Sequence, residues 1–248
     1  MRLAVLADIH GNVLALEAVL ADLARRGGAD LTVDLGDCVS GPLWPRETMD
    51  LLDRLKLPTV RGNHDRWVAS RPRDRMGASD AFAHDELSEA QRRRLGLLPG
   101  ELRPLADVLM FHATPDNDTH YLLDRVEAGG LRRDDRASIR DKLAGRSARL
   151  ILCGHSHRPD LVQLDADTLI LNPGSVGCPG YDDDTPPAHV SESGAPFARY
   201  ALVDIDGPRL GVDLLAVPYD HETAAHRAEA NGRPEWAYAL RHGFMPTG

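Results

Sequence analysis

Seven side chains of types that bind metal ions lie at or just beyond the ends of short apolar runs in this sequence. Each apolar run is typical of a buried strand. The seven are two aspartates, one asparagine and four histidines: Asp8, His10, Asp37, Asn63, His112, His155 and His157. In an open sheet of parallel strands, ligands bind outside the carboxyl ends of the strands. The positions therefore predict that these side chains meet in one crevice.

Two pairs within this set are spaced two residues apart, Asp8 with His10 and His155 with His157. In extended backbone, residues i and i+2 face the same side, so both members of each pair are expected to point into the crevice. Taken singly, each residue has an ordinary structural explanation, such as a helix N-cap for Asp8 or a turn for Asn63. These explanations would have to hold at five strand ends at once, so the whole set favours a metal site.

The mixture of donor atoms indicates which metals the site would prefer. Imidazole nitrogens combined with carboxylate and amide oxygens suit Mn²⁺, Fe or Zn²⁺ better than they suit Ca²⁺ or a structural zinc held by thiolates. Seven candidate ligands exceed the need of one ion, so we expect two ions that share a carboxylate. Two-metal sites, with ions about 3.5–4 Å apart, stabilise the oxygens of an in-line displacement at phosphorus and generate hydroxide near neutral pH.

The elements that must position these residues begin with a β-α-β-α-β pattern, which is typical of parallel strands joined by crossover helices. The strands are predicted at 2–8, 30–37 and 58–63, and the helices at 11–28 and 46–57. Asn12 is the expected N-cap of the first helix. Further helices are predicted at 88–98, 120–130 and 134–145, with strands at 107–115 and 148–157.

After residue 158 the pattern changes to short strands, with a hairpin turn at Asp206 and Gly207. Residues 178–196 are rich in Pro, Gly, Asp and Ser and are expected to form a long loop. Without a repeat or a clear linker, we predict one domain over 1–248, ending in a helical segment at about 218–248.

Composition excludes several classes of protein. The chain has 248 residues and a formal net charge of −9, which disfavours a dedicated nucleic-acid partner. Its three cysteines show no CxxC spacing and are expected to be reduced thiols. No apolar run reaches the 18 residues or more of a membrane span, and the first apolar run is too short for a signal peptide. We therefore expect a cytoplasmic protein that is not bound to a membrane.

Five motifs in order along the chain resemble those of the calcineurin-like metallophosphoesterases. They are DIHGN at 8–12, GDCVSGP at 36–42, GNHD at 62–65, FHATP at 111–115 and GHSH at 154–157. The later NPGSVG at 172–177 is similar to the compact bacterial and archaeal branch with a YfcE-like fold. The resemblance implies a four-layer α/β/β/α sandwich and an enzyme that hydrolyses phosphate esters. It departs from the family at His112-Ala113, where the family usually has His-Gly.

The resemblance also implies a role for each site residue. One ion would be held by Asp8, His10, Asp37 and His157, and the other by Asp37, Asn63, His112 and His155, so that Asp37 bridges the two. His64 would act as the general acid or contact the phosphate, and Asn63 would help to hold the phosphoryl oxygens. Asp65 is assigned to the catalytic group, either orienting His64 or capping the next helix. Mn²⁺ is the favoured metal, with Fe, Zn²⁺ and Ni²⁺ as alternatives.

The ligand residues do not distinguish phosphodiesters from phosphomonoesters as substrates. The resemblance favours small phosphodiesters over phosphomonoesters, and Trp44, His120, Tyr121 and Tyr181 are candidates to line the substrate pocket. Three alternatives share the fold: a protein-interaction scaffold, a nuclease and a protein phosphatase. The retained ligand set argues against the scaffold, the acidic charge against the nuclease, and GNHD in place of GNHE against the protein phosphatase.

Overall fold

Two β-sheets packed face to face form the centre of the computed structural model, which describes residues 1–247. Gly248, the last residue of the predicted domain, lies outside the described residues. The helices are α1 (Val13–Arg25), α2 (Pro45–Leu55), α3 (Asn63–Ser70), α4 (Ala78–Glu86), α5 (Glu89–Leu97), α6 (Arg136–Lys142), α7 (His221–Ala230) and α8 (Pro234–His242).

The strands fall into three sheets. They are β1 (Arg2–Leu6), β2 (Leu31–Asp34), β3 (Glu101–Leu105), β4 (Val108–Phe111), β5 (Asp124–Glu127), β6 (Gly130–Arg133), β7 (Leu150–Leu152), β8 (Asp160–Gln163), β9 (Leu169–Asn172), β10 (Gly180–Asp183), β11 (His189–Glu192), β12 (Ala198–Asp206) and β13 (Arg209–Val217). The first sheet has the order β13-β12-β1-β2, the second β3-β4-β7-β9-β8 and the third β10-β11-β6-β5.

Successive side chains of the central strands point to opposite faces of their sheet, and each face packs against a different layer. In β1, Leu3 and Val5 face the second sheet and pack with residues of β4 and β7, such as Met110 and Leu152. The intervening Ala4 and Leu6 pack outward against α1 and α2. Because β1 is buried on both faces, its sequence is a continuous apolar run. On the far side of the second sheet, β4, β7 and β9 pack against α6. The predicted four-layer α/β/β/α sandwich is confirmed.

The helix predicted at 120–130 is wrong, because this segment forms part of a β-hairpin. Residues of β5 pair with β6 across a two-residue turn, Ala128-Gly129, and both turn residues have positive φ, 46° and 83°. Two such residues make the type I′ turn that matches the twist of paired strands. The loop predicted at 178–196 likewise contains β10 and β11, which complete the third sheet.

The third predicted strand, 58–63, is also wrong as a strand. It contributes only one bridge, between Asp34 and Thr59, and α3 already begins at Asn63. Asn12 is confirmed as the N-cap of α1, where its side chain accepts a hydrogen bond from the backbone N–H of Ala15.

The C-terminal helical segment is present as α7 and α8, which pack against each other and against Leu43 through small apolar residues. In addition, α7 contacts α1, and α8 contacts β10 of the third sheet. None of the helices within residues 1–247 is both long enough and apolar enough to cross a bilayer.

Gly177 provides a test of how tightly the fold holds the segment after β1. Its backbone N–H donates to the carbonyl of Asp8, and a Cβ at this position would overlap the carbonyl oxygen of Ile9. We expect Gly177→Ala to lower the free energy of unfolding by about 1–3 kcal/mol, as overpacking does elsewhere. Gly100→Ala is the control, because its Cβ would meet no atom within 4 Å. Equal urea midpoints for the two variants would contradict this packing.

Candidate active site

The structure brings all seven predicted ligands together in two neighbouring groups. One group is Asp8, His10 and His157 and the other is Asp37, His112 and His155, and in each group the candidate ligand atoms lie within 4.8 Å of one another. Oδ1 of Asn63 joins the second group, 3.1 Å from Nε2 of His112. Oδ2 of Asp37 lies 3.3 Å from Nε2 of His112 and 3.8 Å from Nε2 of His10. This carboxylate therefore faces both groups, as a bridging ligand must.

Three of the four imidazoles are fixed by backbone carbonyls. Nδ1 of His10 lies 2.6 Å from the carbonyl oxygen of Ser40. Nδ1 of His112 lies 2.8 Å from the carbonyl oxygen of Leu35, and Nδ1 of His157 lies 2.7 Å from that of Cys178. A carbonyl oxygen only accepts, so Nδ1 carries a hydrogen in each ring and Nε2 points into the site, where it can bind a proton or a metal ion. This is the outer-shell arrangement found around metal-binding histidines.

The nitrogen atoms of His10 and His157 show why this donor set fits a cation. Their Nε2 atoms are 3.1 Å apart, and both rings use Nδ1–H on a carbonyl. Two buried lone pairs at this distance repel each other unless a proton or a metal ion lies between them. Burial lowers the pKa of His157, but the Asp8 carboxylate outweighs it and raises that pKa, so positive charge is favoured at this position. Burial lowers the pKa of His112, but the carboxylates of Asp37 and Asp8 outweigh it and raise that pKa to about 10. The charge that attracts a proton there would equally attract a metal ion.

The backbone of the ligand loops differs from the extended conformation expected from the sequence. Asp8, His10, Asp37, His155 and His157 all have positive φ, between 51° and 69°. Left-handed conformations are uncommon outside glycine and concentrate at functional sites. The predicted reason for the shared direction of each pair was therefore wrong, although the pairs do share a site.

Backbone hydrogen bonds continue beyond β1 and β2 into the loops that follow these strands, and they support this conformation. The backbone N–H of Asp8 donates to the carbonyl of Gly36, and that of His10 to the carbonyl of Asp37, each at 2.9 Å. The two loops therefore hold their ligands in a common register.

His64 lies beside the ligand groups and is hydrogen bonded to groups that the sequence did not reveal. Its Nδ1 is 2.7 Å from Oδ1 of Asp80, and the hydroxyl of Ser40 donates to the same carboxylate oxygen. Burial lowers the pKa of His64, but the carboxylates of Asp37 and Asp80 outweigh it and raise that pKa. A proton on His64 is therefore stabilised by Asp80. Asp80 was missed because it lies on α4, outside every motif.

Asp65 caps a helix and ties two loops together. Its carboxylate accepts hydrogen bonds from the backbone N–H groups of Gly62, Asp37 and Cys38 at 2.9–3.0 Å. Gly62 is the N-cap of α3. Within residues 1–247 Asp65 makes no hydrogen bond to the imidazole of His64, so its geometry is that of the capping alternative, and its assignment to the catalytic group stays a prediction. Burial and the charge of Asp37 raise the pKa of the Asp65 carboxyl to about 6.

The ligand groups open into a cavity of about 900 Å³. Three of the four predicted lining residues, His120, Tyr121 and Tyr181, do line it. Trp44 packs instead against α7 and α8. Lining residues that sequence reasoning missed are Trp67, Arg71, Lys142, Arg233 and Trp236. They come from segments outside the motifs, and no local pattern could have assigned them.

Ala113, the departure from the family pattern, is buried and is not among the residues that line this cavity. Its methyl group therefore does not narrow the access to the ligand groups.

Comparison with known proteins defines the class to which this fold and site belong. A profile of the calcineurin-like phosphoesterase superfamily domain matches residues 1–191. The chain belongs to this superfamily of phosphoesterases. Its members are hydrolases that depend on divalent metals, and the two ligand groups described above are where this chain would hold them.

Particular relatives match over nearly the whole chain. An uncharacterized protein of Methanocaldococcus jannaschii, MJ0912, is 28% identical, with 94% of each chain covered. A metallophosphoesterase from Sphaerobacter thermophilus is 25% identical, with a TM-score of 0.73 over 97% of this chain and 98% of that one. Hypothetical protein PH1004 from Pyrococcus horikoshii is 20% identical, with a TM-score of 0.76 over 99% of both chains, and shows the shared fold.

The phosphoesterase YfcE from E. coli is also among the similar structures, with a TM-score of 0.45. A TM-score this low does not support the narrower assignment to the compact YfcE-like branch, which stays a prediction based on the sequence motifs.

Asp65 provides a test of the scaffold under the site. We expect Asp65→Ala to cost about 3 kcal/mol or more in the free energy of unfolding, because each of three buried N–H groups left without an acceptor costs about 1–3 kcal/mol. Asp118→Ala is the matched control, since it removes a carboxylate that is 22% exposed and paired with Arg66, and should cost at most about 1 kcal/mol. If urea denaturation gives equal losses for the two variants, the assigned role of Asp65 is wrong.

Proposed function

We propose that this protein is a phosphoesterase that uses two divalent metal ions to hydrolyse small phosphate esters, with phosphodiesters favoured over phosphomonoesters. One observation carries the proposal: two groups of buried ligands share Asp37 and open, together with His64, into a single cavity. The mixed nitrogen and oxygen donors favour Mn²⁺, with Fe, Zn²⁺ and Ni²⁺ as alternatives.

Two bound cations would polarise the phosphoryl oxygens and lower the pKa of the water that attacks phosphorus. The protein's own contribution is to hold the ester and to manage protons. Asn63 begins α3 beside His112 and is proposed to help position the phosphoryl group. Asp37 faces both ligand groups and so fixes their separation.

His64 is proposed to donate a proton to the oxygen of the leaving group. Asp80 accepts from Nδ1–H, which leaves the other ring nitrogen, Nε2, to carry the transferable proton. The His64 side chain is 29% exposed, so it can reach a substrate in the cavity, whereas Asp80 is buried. The ring of Trp67 meets His64 edge-on, with centroids 4.7 Å apart, and lines the same cavity.

The walls of the cavity carry charges of both signs. Arg71, Lys142 and Arg233 supply positive charge, and Asp124, Asp182, Asp183 and Asp184 supply negative charge. The overall charge of −9 disfavours a long nucleic acid as the dedicated partner. The diester preference rests on the resemblance to the compact branch, and we propose that the reaction takes place in the cytoplasm.

The alternative functions are less well supported. A scaffold would not need His64, Ser40 and Asp80 arranged as a proton-donating group. A protein phosphatase would need an arginine shortly after the GNHD motif to contact the phosphate. Arg66 is disfavoured for this role, because its guanidinium makes two hydrogen bonds to Asp118, at 2.7 and 2.6 Å.

Removing the shared ligand tests the two-ion proposal. We expect Asp37→Asn to lower the turnover of bis-p-nitrophenyl phosphate by roughly 100-fold or more, because electrostatic stabilisation of the transition state is lost. The assay uses metal-stripped protein with Mn²⁺ added back. Turnover of the variant within a few-fold of wild type would contradict the role of Asp37.

Leaving groups of different basicity test the role of His64. Loss of a general acid costs roughly 10²–10⁴-fold. It matters most when the departing oxygen is basic, so His64→Ala should slow an alkyl ester far more than the p-nitrophenyl ester. Asp80→Asn should show the same selectivity in milder form.

His84→Ala is the control for this series, because His84 is on the same helix as Asp80 but outside the cavity. Equal losses on alkyl and p-nitrophenyl esters in His64→Ala would rule out proton donation to the leaving group.

A further inference from the structure

His155 differs from the other three imidazoles of the ligand groups. Within residues 1–247, neither of its ring nitrogens makes a hydrogen bond to the protein, whereas His10, His112 and His157 each use Nδ1 on a carbonyl. Only its backbone is held: its N–H contacts the carboxylate of Asp8, and its carbonyl accepts from the hydroxyl of Tyr181. Something else must set the rotation of this ring.

The ring of Tyr121 lies flat against the His155 imidazole. Their centroids are 4.8 Å apart and their planes differ by 24°, so the two rings are stacked. Stacked aromatic pairs have a preferred offset geometry and contribute beyond the area that they bury. An imidazole held on one face in this way cannot rotate about its Cα–Cβ or Cβ–Cγ bond without losing the contact.

Tyr121 is itself fixed by its surroundings. Its phenol oxygen is 2.7 Å from the hydroxyl of Tyr181 and 2.8 Å from Nε2 of His189. The ammonium of Lys142 donates to its backbone carbonyl at 2.8 Å. Tyr181 and His189 belong to β10 and β11. The third sheet therefore holds the tyrosine that contacts the ligand.

We infer that Tyr121 is a positioning residue for one of the two metal sites: its ring orients the His155 imidazole, in place of the carbonyl that orients the other three. The inference rests on the proposed two-ion function. Its consequence is specific to one site, because within residues 1–247 the ring of Tyr121 stacks on a ligand of the group of Asp37, Asn63, His112 and His155. Its link to the other group is indirect and runs through Tyr181, whose ring meets His157 edge-on. In that other group, His10 and His157 are oriented by backbone carbonyls.

Calorimetric titration of metal-stripped protein with Mn²⁺ tests this inference. Wild type should bind two ions per chain. Tyr121→Leu should keep one ion at wild-type affinity and bind the other roughly 10- to 100-fold more weakly, as is usual when an outer-shell partner of a ligand is lost. Tyr121→Phe keeps the stacked ring and should stay within a few-fold of wild type.

Two further variants separate positioning from a general structural effect. Trp67→Leu removes another aromatic side chain of the cavity, one that contacts His64 and not a proposed ligand, and should leave both affinities unchanged. In a His155→Ala background, Tyr121→Leu should have no additional effect on Mn²⁺ affinity, because the ring that it orients is gone.

The possible results distinguish the inference from the proposed function. If wild type binds two ions and Tyr121→Leu binds both with wild-type affinity, the positioning role is wrong and the proposed function stands. Equal weakening of both ions in Tyr121→Leu would also overturn the positioning role. If wild type fails to bind two ions, the proposed function itself is wrong.

Discussion

The site depends on keeping groups that repel one another buried side by side. Imidazole nitrogens of His10 and His157 lie 3.1 Å apart, so that a proton or a metal ion is needed between them, and the carboxylates of Asp8 and Asp37 are buried nearby. Such a cluster costs free energy unless positive charge balances it. The surrounding fold has to supply enough fixed contacts to hold the donors in place, and its details follow from that requirement.

Backbone groups supply most of those contacts. Carbonyls orient three imidazoles, and the Asp65 carboxylate accepts hydrogen bonds from N–H groups at the ends of the second and third predicted strands. Beneath these loops, burial and the charge of Asp65 raise the pKa of Asp34 to about 8. The raised pKa favours the neutral form of Asp34, which limits the negative charge buried near the ligands. The left-handed residues of the loops are tolerated because so many neighbouring contacts fix them.

Much of this could be predicted from the sequence, and the limits have physical causes. The ligands were recognisable because their chemical types follow apolar strands. The sandwich was implied by the resemblance of the motifs to a known family, and the strand and helix pattern was compatible with it. The conformation of Asp8 and His155 was not, since left-handed φ values leave no mark on hydrophobic periodicity. The hairpin at Ala128-Gly129 was mistaken for a helix because its few apolar residues fit either period.

Residues that act through another side chain were the hardest to find. Asp80 reaches His64 from a separate helix, and Tyr121 reaches His155 from a segment predicted to be helical. Their roles arise from tertiary contacts between distant parts of the chain, which local spacing does not encode. By contrast, the role of Asp65 as a helix cap was one of two alternatives that the GNHD motif already offered.

The most direct test of the central claim is to locate Mn²⁺ in a crystal of the protein by anomalous scattering at the manganese edge. Our account predicts two peaks about 3.5–4 Å apart, as in other two-metal sites. One should lie between Asp8, His10 and His157, the other beside His112 and His155, with Asp37 between them. A single peak, or peaks away from these residues, would contradict it.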